Sequence, residues 1–199
     1  MYRIDSIFKV IFLIGLVIGS VIRKIYTAPS RHTKAVRKRK SALDTVLVSL
    51  AGVGLATPLV YLFTPWLDFA NYNLPSRLSW IGTAIFTGAI LLLWRSHVDL
   101  GRNWSAALRI HSEHTLITHG VYRHIRQPMY AAHLLWAIGQ ALLLSNWLAG
   151  WIFLVTFIPL YMFRVPKEEQ LMLDQFGDEY REYMTQTGRM FPRFCKLHI

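Results

Sequence analysis

Thr45-Val46-Leu47-Val48-Ser49-Leu50-Ala51-Gly52-Val53-Gly54-Leu55-Ala56-Thr57-Pro58-Leu59-Val60-Tyr61-Leu62-Phe63-Thr64-Pro65-Trp66-Leu67 contains no charged residue. Crossing the hydrocarbon core of a bilayer takes about 17–25 residues of apolar helix. This run is long enough. Working outward from it, four further segments reach or approach that length: Ile4–Ile22, Leu78–Trp94, Pro128–Leu144 and Asn146–Phe163. The third span ends at Arg95 and His97, the fourth carries His133 and Gln140, and the fifth ends at Arg164. The last two meet at Ser145-Asn146, which predicts a tight helical hairpin with Ser or Asn capping its second arm. The expectation is an all-α integral membrane helical bundle of five transmembrane helices.

The chain has 199 residues, of which 53% are hydrophobic, with seven Trp and a formal net charge of +11. That length suits one domain. A soluble nucleic-acid binder explains the charge but not the apolar runs. The single Cys195 excludes an internal disulfide framework and a multi-Cys metal site. The first apolar run contains Asp5 and Lys9 and lacks a small-residue cleavage site, so it reads as a retained span.

Charge sorting tests the layout. Arg23 to Lys40 holds eight Lys and Arg, the segment from Arg95 to Arg126 holds five, and the tail from Arg164 onward holds six. An odd number of spans puts these three regions on one side, with nineteen of the 22 basic residues. The positive-inside rule then places the N-terminus outside and the C-terminus in the cytoplasm. The membrane is the cell membrane in a prokaryote and the endoplasmic reticulum in a eukaryote. The run Arg31–Lys40 reads as an orientation signal touching anionic lipid head groups. No aromatic residues interleave it for base stacking, so no nucleic-acid partner is expected. Residues 1–199 form a single membrane domain: 1–94 hold the first three spans and the basic loop, and 95–199 hold the rest. The polar stretches 95–127 and 164–199 share the cytoplasmic side, and a pocket for a polar cofactor has to be built there.

Two clusters in those stretches carry chemistry. The first runs His114-Thr115-Leu116-Ile117-Thr118-His119-Gly120-Val121-Tyr122, then Arg126-Gln127-Pro128-Met129-Tyr130. Gly120 marks a turn, and Pro128 suits the first turn of the fourth helix. The N–H groups at that helix start can receive an anionic part of a ligand. Tyr122 and Tyr130 can flank a flat heterocycle; taken alone they also suit an interfacial aromatic belt. The second cluster is Arg164-Val165-Pro166-Lys167-Glu168-Glu169. Arg164 and Glu168 are four apart and share a helix face. Pro166 between them predicts a kink or interruption. Arg164 can grip a carboxylate with two parallel hydrogen bonds, and Glu168 can meet a cationic amine or ribose hydroxyls. The plainer alternative is an i,i+4 ion pair capping the span. Glu169 points about 100° away from Glu168 and is expected to act separately.

Six of the eight His lie between His97 and His133, but their spacing matches no common metal-ligand pattern, and no metal is expected. The tail Phe176-Gly177-Asp178-Glu179-Tyr180-Arg181-Glu182-Tyr183 predicts a helix that Asp178 caps after Gly177 ends the one before. It serves as a lid over the site or lies on head groups.

Together, the 114–122 and 126–130 motifs, the Arg164–Glu169 motif and Phe176–Tyr180 resemble the isoprenylcysteine carboxyl methyltransferase family, related to the phospholipid methyltransferases. Gly101-Arg102-Asn103-Trp104-Ser105 and the short hairpin are similar to its short microbial members. The likeness covers roughly residues 95–193. It implies S-adenosylmethionine as methyl donor, with S-adenosylhomocysteine as product, in a cytoplasmic pocket of the C-terminal half. By motif position, His114, Thr115, Leu116, Ile117, Tyr122, Gln127, Pro128, Met129, Tyr130 and Glu168 line the cofactor site. Arg164 holds the substrate's carboxylate, and a lipophilic or prenylated substrate enters from the membrane between helices. The family reads Arg-His-Pro where this chain has Arg126-Gln127-Pro128. Gln127 cannot carry a proton, but a carboxylate is already ionised at neutral pH and needs no base. A phospholipid amine methyltransferase would need one. A reductase using NADPH lacks a glycine-rich dinucleotide fingerprint. A small transporter or metal-handling protein would need more polar mid-span groups than His133 and Gln140.

Overall fold

The computed structural model describes residues 2–30, 35–38, 42–101, 109–111 and 115–193. Six α-helices dominate: α1 Tyr2–Ser30, α2 Ala42–Phe63, α3 Ser76–Leu100, α4 Pro128–Leu143, α5 Trp147–Phe176 and α6 Asp178–Gln186. Four of them, α1, α2, α3 and α5, are long and apolar enough to cross a membrane. The sixteen residues of α4 are fewer. α3 lies along α4, α2 along α5, and α1 against α3.

Small residues let the helices approach. A Cβ on Gly82 of α3 would fall 2.5 Å from Leu142, and one on Gly139 of α4 would fall 2.8 Å from Phe86. Such close backbone approach is how helices gain packing contacts in lipid, where no hydrophobic effect drives them together. The aromatic centre is Phe12, Phe86 and Trp136, with Phe86 stacked on Phe12 at 5.4 Å and edge-on to Trp136 at 4.6 Å.

Two sets of loops meet at opposite ends of the bundle. At one end, β1 (Ala35–Lys38) from the α1–α2 connection pairs antiparallel with β2 (Arg109–His111) from the α3–α4 connection. This two-stranded ladder departs from a purely helical expectation. At the other end, the α2–α3 connection meets the three residues between α4 and α5. Buried Asn146 caps α5, its Oδ1 accepting from Leu148 and Ala149 N–H groups, while its Nδ2 donates to the Leu67 carbonyl at 2.6 Å and to Asn71 at 2.9 Å. The Tyr72 N–H donates to the Ser145 carbonyl at 3.0 Å. These bonds satisfy the polar ends that an apolar helix leaves open.

Two local expectations are corrected. The helix is not interrupted at Pro166: α5 runs through Pro159 and Pro166 to Phe176. Pro166 is exposed, while Val165 and Glu169 are buried on either side of it and hold the flanking turns in register. Nor does Asp178 cap α6. Gly177, with φ +54°, both ends α5 and precedes α6, and Asp178 is the first helical residue.

Candidate functional site

The first turn of α4 and the C-terminal half of α5 come together around Glu168. Arg164 Nε donates to Glu168 Oε1 at 2.9 Å, and the Tyr130 hydroxyl donates to the same oxygen at 2.9 Å. The i,i+4 spacing on α5 makes the first contact local; the second is tertiary and joins the two sequence clusters. Tyr130, Tyr161 and Phe157 form an aromatic wall beside the acid, with centroids 5.8–6.3 Å apart. Arg164 and Glu168 are both partly buried, so their charges are poorly screened and each steadies the other.

Glu169 faces elsewhere, as its turn along the helix dictates. Its buried carboxylate accepts from Arg126 Nε at 3.3 Å and from Arg189 at 3.1 Å and 2.5 Å. Arg126 also donates to the carbonyls of Met184 and Thr187. Backbone bonds reinforce this, from Arg126 N–H to Gly188 O at 2.8 Å and from Gln127 N–H to Arg189 O at 2.9 Å. The chain after α6 is thereby fastened to the turn before α4.

The 115–123 segment is held from two directions. The Asp99 carboxylate on α3 accepts the Val121 N–H at 2.8 Å and pairs with Arg95 at 3.1 Å. The Tyr183 hydroxyl on α6 donates to the Tyr122 carbonyl at 2.6 Å. Burial pushes the Tyr183 hydroxyl up to about 12 and raises those of Tyr122 and Tyr180 beyond the usual tyrosine range, so all three stay protonated donors.

The expected site residues fall as follows. Tyr130, Arg164 and Glu168 meet directly. Tyr122 is buried, and its hydroxyl reaches the Ser96 carbonyl at 3.4 Å, so it braces the loop against α3. Thr115 is exposed and Leu116 and Ile117 are half-buried on the same loop. Gln127, at the start of α4, makes no side-chain cap; Pro128 is buried and Met129 half-buried beside it. His114 lies outside the described residues. Among the described residues, no three His, Cys, Asp or Glu side chains gather as metal ligands would.

Sequence reasoning missed Asp44, Asp99, Arg189, Phe157 and Tyr161. Asp44, in the first turn of α2, pairs with Lys167 at 3.3 Å. Its signal was available: it is the acid that borders the N-terminal end of the charge-free run, and ionisable groups at a membrane boundary are a default place to look for function.

The comparisons with known proteins agree with one another. The sequence model of the isoprenylcysteine carboxyl methyltransferase (ICMT) family matches residues 80–174. A probable protein-S-isoprenylcysteine O-methyltransferase of Oryza sativa subsp. indica is 42% identical over 88 residues, 43% of this chain and 46% of its own length. Protein-S-isoprenylcysteine O-methyltransferase A of Arabidopsis thaliana is 35% identical over 88 residues, 43% of this chain and 45% of its own. A solved structure of a eukaryotic intramembrane Ras methyltransferase ICMT superposes with a TM-score of 0.51 at 27% identity, over 78% of this chain and 54% of that one. The chain spans about half the length of the curated relatives it matches. Its matched segment runs from α3 through the Tyr130–Glu168–Arg164 cluster, and over that segment the chain is similar to the isoprenylcysteine carboxyl methyltransferase family.

Proposed function

We propose that this chain is an integral membrane methyltransferase that uses S-adenosylmethionine to esterify the carboxylate of an isoprenylcysteine-like acid at the membrane–cytoplasm boundary. The observation that carries the reading is the meeting of Tyr130 and Arg164 on one oxygen of Glu168. When bound, S-adenosylmethionine supplies a methyl group on a positively charged sulfur. A nucleoside joined to a zwitterionic amino acid needs an acid, hydrogen-bonding hydroxyls and flat apolar surface. Glu168, Tyr130 and the Tyr161–Phe157 wall are such a set, and the half-buried Leu116 and Ile117 extend it. His114, Thr115, Leu116, Ile117, Tyr122, Gln127, Pro128, Met129, Tyr130 and Glu168 would hold the group.

Arg164 has the part of orienting the substrate. Its Nε is committed to Glu168, which fixes the plane of the guanidinium for a carboxylate. A guanidinium stays charged and cannot protonate the nucleophile it grips. The substrate carboxylate is ionised at neutral pH, so no base is required, and Gln127 suffices as a hydrogen-bonding residue where the family has His. Alignment and exclusion of water then supply the rate, because opposite charges cancel as the ester forms.

The membrane arrangement follows the same reading. With loops paired at two opposite ends, α4 crosses as a fifth span, forming a hairpin with α5. At about 1.5 Å per residue it is about 24 Å long, short of the roughly 30 Å core. The end bearing β1 and β2 is cytoplasmic by its excess of Lys and Arg. On this reading the site lies at the inner leaflet, prenylated substrate enters from the lipid, and Arg31–Lys40 meets anionic head groups.

Calorimetric titration with S-adenosylhomocysteine tests the reading. Wild-type protein binds it and forms methyl ester on an isoprenylcysteine acid. Glu168→Ala loses the binding, and Arg164→Ala raises KM for the acid or lowers kcat. Undiminished titration of Glu168→Ala removes Glu168 from the site and the reading with it.

A further inference from the structure

Asp44 lies on α2, outside the segment matched to the family. Only 7% of it is exposed. Its Oδ1 accepts from Lys167 Nζ at 3.3 Å, while its Oδ2 is buried and has no hydrogen-bond partner among the described residues. A buried carboxylate oxygen without a donor is costly, and a lone ammonium on the other oxygen does not satisfy it.

The position is not a surface accident. α2 is locked to α5 by Gly54, where a Cβ would fall 2.4 Å from Thr156 Oγ1 and 2.9 Å from Phe153 Cα. Ala51 and Pro58 are buried on the same helix. Lys167 directly precedes Glu168 and lies three residues after Arg164, so Arg164 and Lys167 are neighbours on α5. Through the Lys167 contact, an unused acceptor lies against the turn of α5 that carries the guanidinium expected to hold the substrate's carboxylate.

A ligand that fits both groups carries a carboxylate and an N–H donor close together. An N-acylated α-amino acid has this form, with the amide N–H and the carboxylate on one carbon. The terminal isoprenylcysteine of a peptide chain is such an acid. We propose, resting on the function assigned above, that Asp44 is a substrate-binding residue whose Oδ2 accepts the amide N–H of the isoprenylcysteine, while Arg164 holds its carboxylate. The site thus reads the end of a peptide chain and not merely a lipid acid, and the reading residue comes from α2. Lys167 holds the other carboxylate oxygen and so aims Oδ2.

The experiment compares two acids with the full chain in detergent at saturating methyl donor: N-acetyl-S-farnesylcysteine, and 3-(farnesylthio)propionic acid, which lacks the acetamido group. Wild-type protein is expected to show a KM about tenfold lower for the acetamido acid, the size of a buried hydrogen bond to a charged group. In Asp44→Asn, Lys167 takes the amide oxygen and the new NH2 faces the substrate's N–H, donor against donor. Its KM for the acetamido acid should rise about tenfold, with the propionic acid changed less than about twofold and S-adenosylhomocysteine binding retained. Equal KM values for the two acids in wild-type protein overturn the proposal and leave the methyltransferase reading standing; Asp44 then only neutralises Lys167. An equal shift on both acids in Asp44→Asn overturns it as well. Should that variant fail to fold, the wild-type comparison decides alone. Methylation of neither acid removes the underlying function and the proposal together.

Discussion

Gly120 stands at φ +59°, and the Asp99 carboxylate occupies the space a side chain would need: a Cβ there would fall 2.1 Å from Asp99 Oδ2. Gly120→Ala therefore meets two penalties. The left-handed conformation costs roughly 1 kcal/mol for a residue with a Cβ. Displacing Asp99 weakens its charge-assisted bond to the Val121 N–H, a loss of about 1–2 kcal/mol. The expected result is a fall in melting temperature of about 4–10 °C, followed by circular dichroism in detergent. S-adenosylhomocysteine affinity should fall too, because the Leu116–Ile117 stretch hangs from this anchor. An unchanged melting temperature would show that the loop does not depend on Asp99. The turn at Gly120 was legible from its sequence neighbours. Asp99 was not, since it lies 22 residues away and only folding brings an acid at the end of a span to a distant amide. Arg164 and Glu168 were legible for the opposite reason, as their spacing of four is a helical contact in itself.

Elements show where local chemistry ends and packing takes over. The helices could be read from apolar run length, but their ends could not: α3 continues to Leu100 and α5 to Phe176, past the charges taken as boundaries. Those charges are accommodated by partners. Glu169 is the clearest case, joining α5 to the α4 turn through Arg126 and to the C-terminal segment through Arg189. No sequence spacing announces this clasp, because its members stand 43 and 20 residues apart. The two arms should differ in strength. Glu169→Ala leaves the largely buried Arg126 guanidinium without its carboxylate, and loss of one partner from a buried pair costs about 3–5 kcal/mol. Arg189 is 45% exposed at its side chain, so Arg189→Ala should cost about 1 kcal/mol or less. Thermal unfolding gives the two stabilities. Backbone hydrogen exchange at Arg126 and Gly188, whose N–H groups bond across the joint, should accelerate far more in Glu169→Ala. Equal effects of the two substitutions would mean that the clasp is held by its backbone bonds alone.

Across the whole molecule, charge and pairing agree on which loops are neighbours. The basic connection between α1 and α2 pairs with the α3–α4 connection through β1 and β2, and Asn71, Tyr72, Ser145 and Asn146 gather at the far end. Sequence could sort the loops by Lys and Arg content, since translocation disfavours those charges. It could not foresee the ladder between them, because strand pairing of this kind depends on where the helix ends are brought. Two faces with alternating loops require each intervening helix to traverse the bundle, α4 included. Labelling of single cysteines in a Cys195→Ser background tests this in living cells. Asn73 and Thr118 are both exposed and belong to opposite ends. Asn73→Cys should react with a membrane-impermeant maleimide in intact cells, whereas Thr118→Cys should react only after the membrane is opened. Reaction of both in intact cells would put the two loops on one side, and α3 would then not cross. Reaction of Thr118→Cys alone would keep the crossing but invert the orientation, moving the site away from the leaflet where a cytoplasmic methyl donor is available. The positive-inside rule, applied to a sequence in which nineteen of 22 Lys and Arg fall in the three stretches expected on one side, makes the first pattern the expected one.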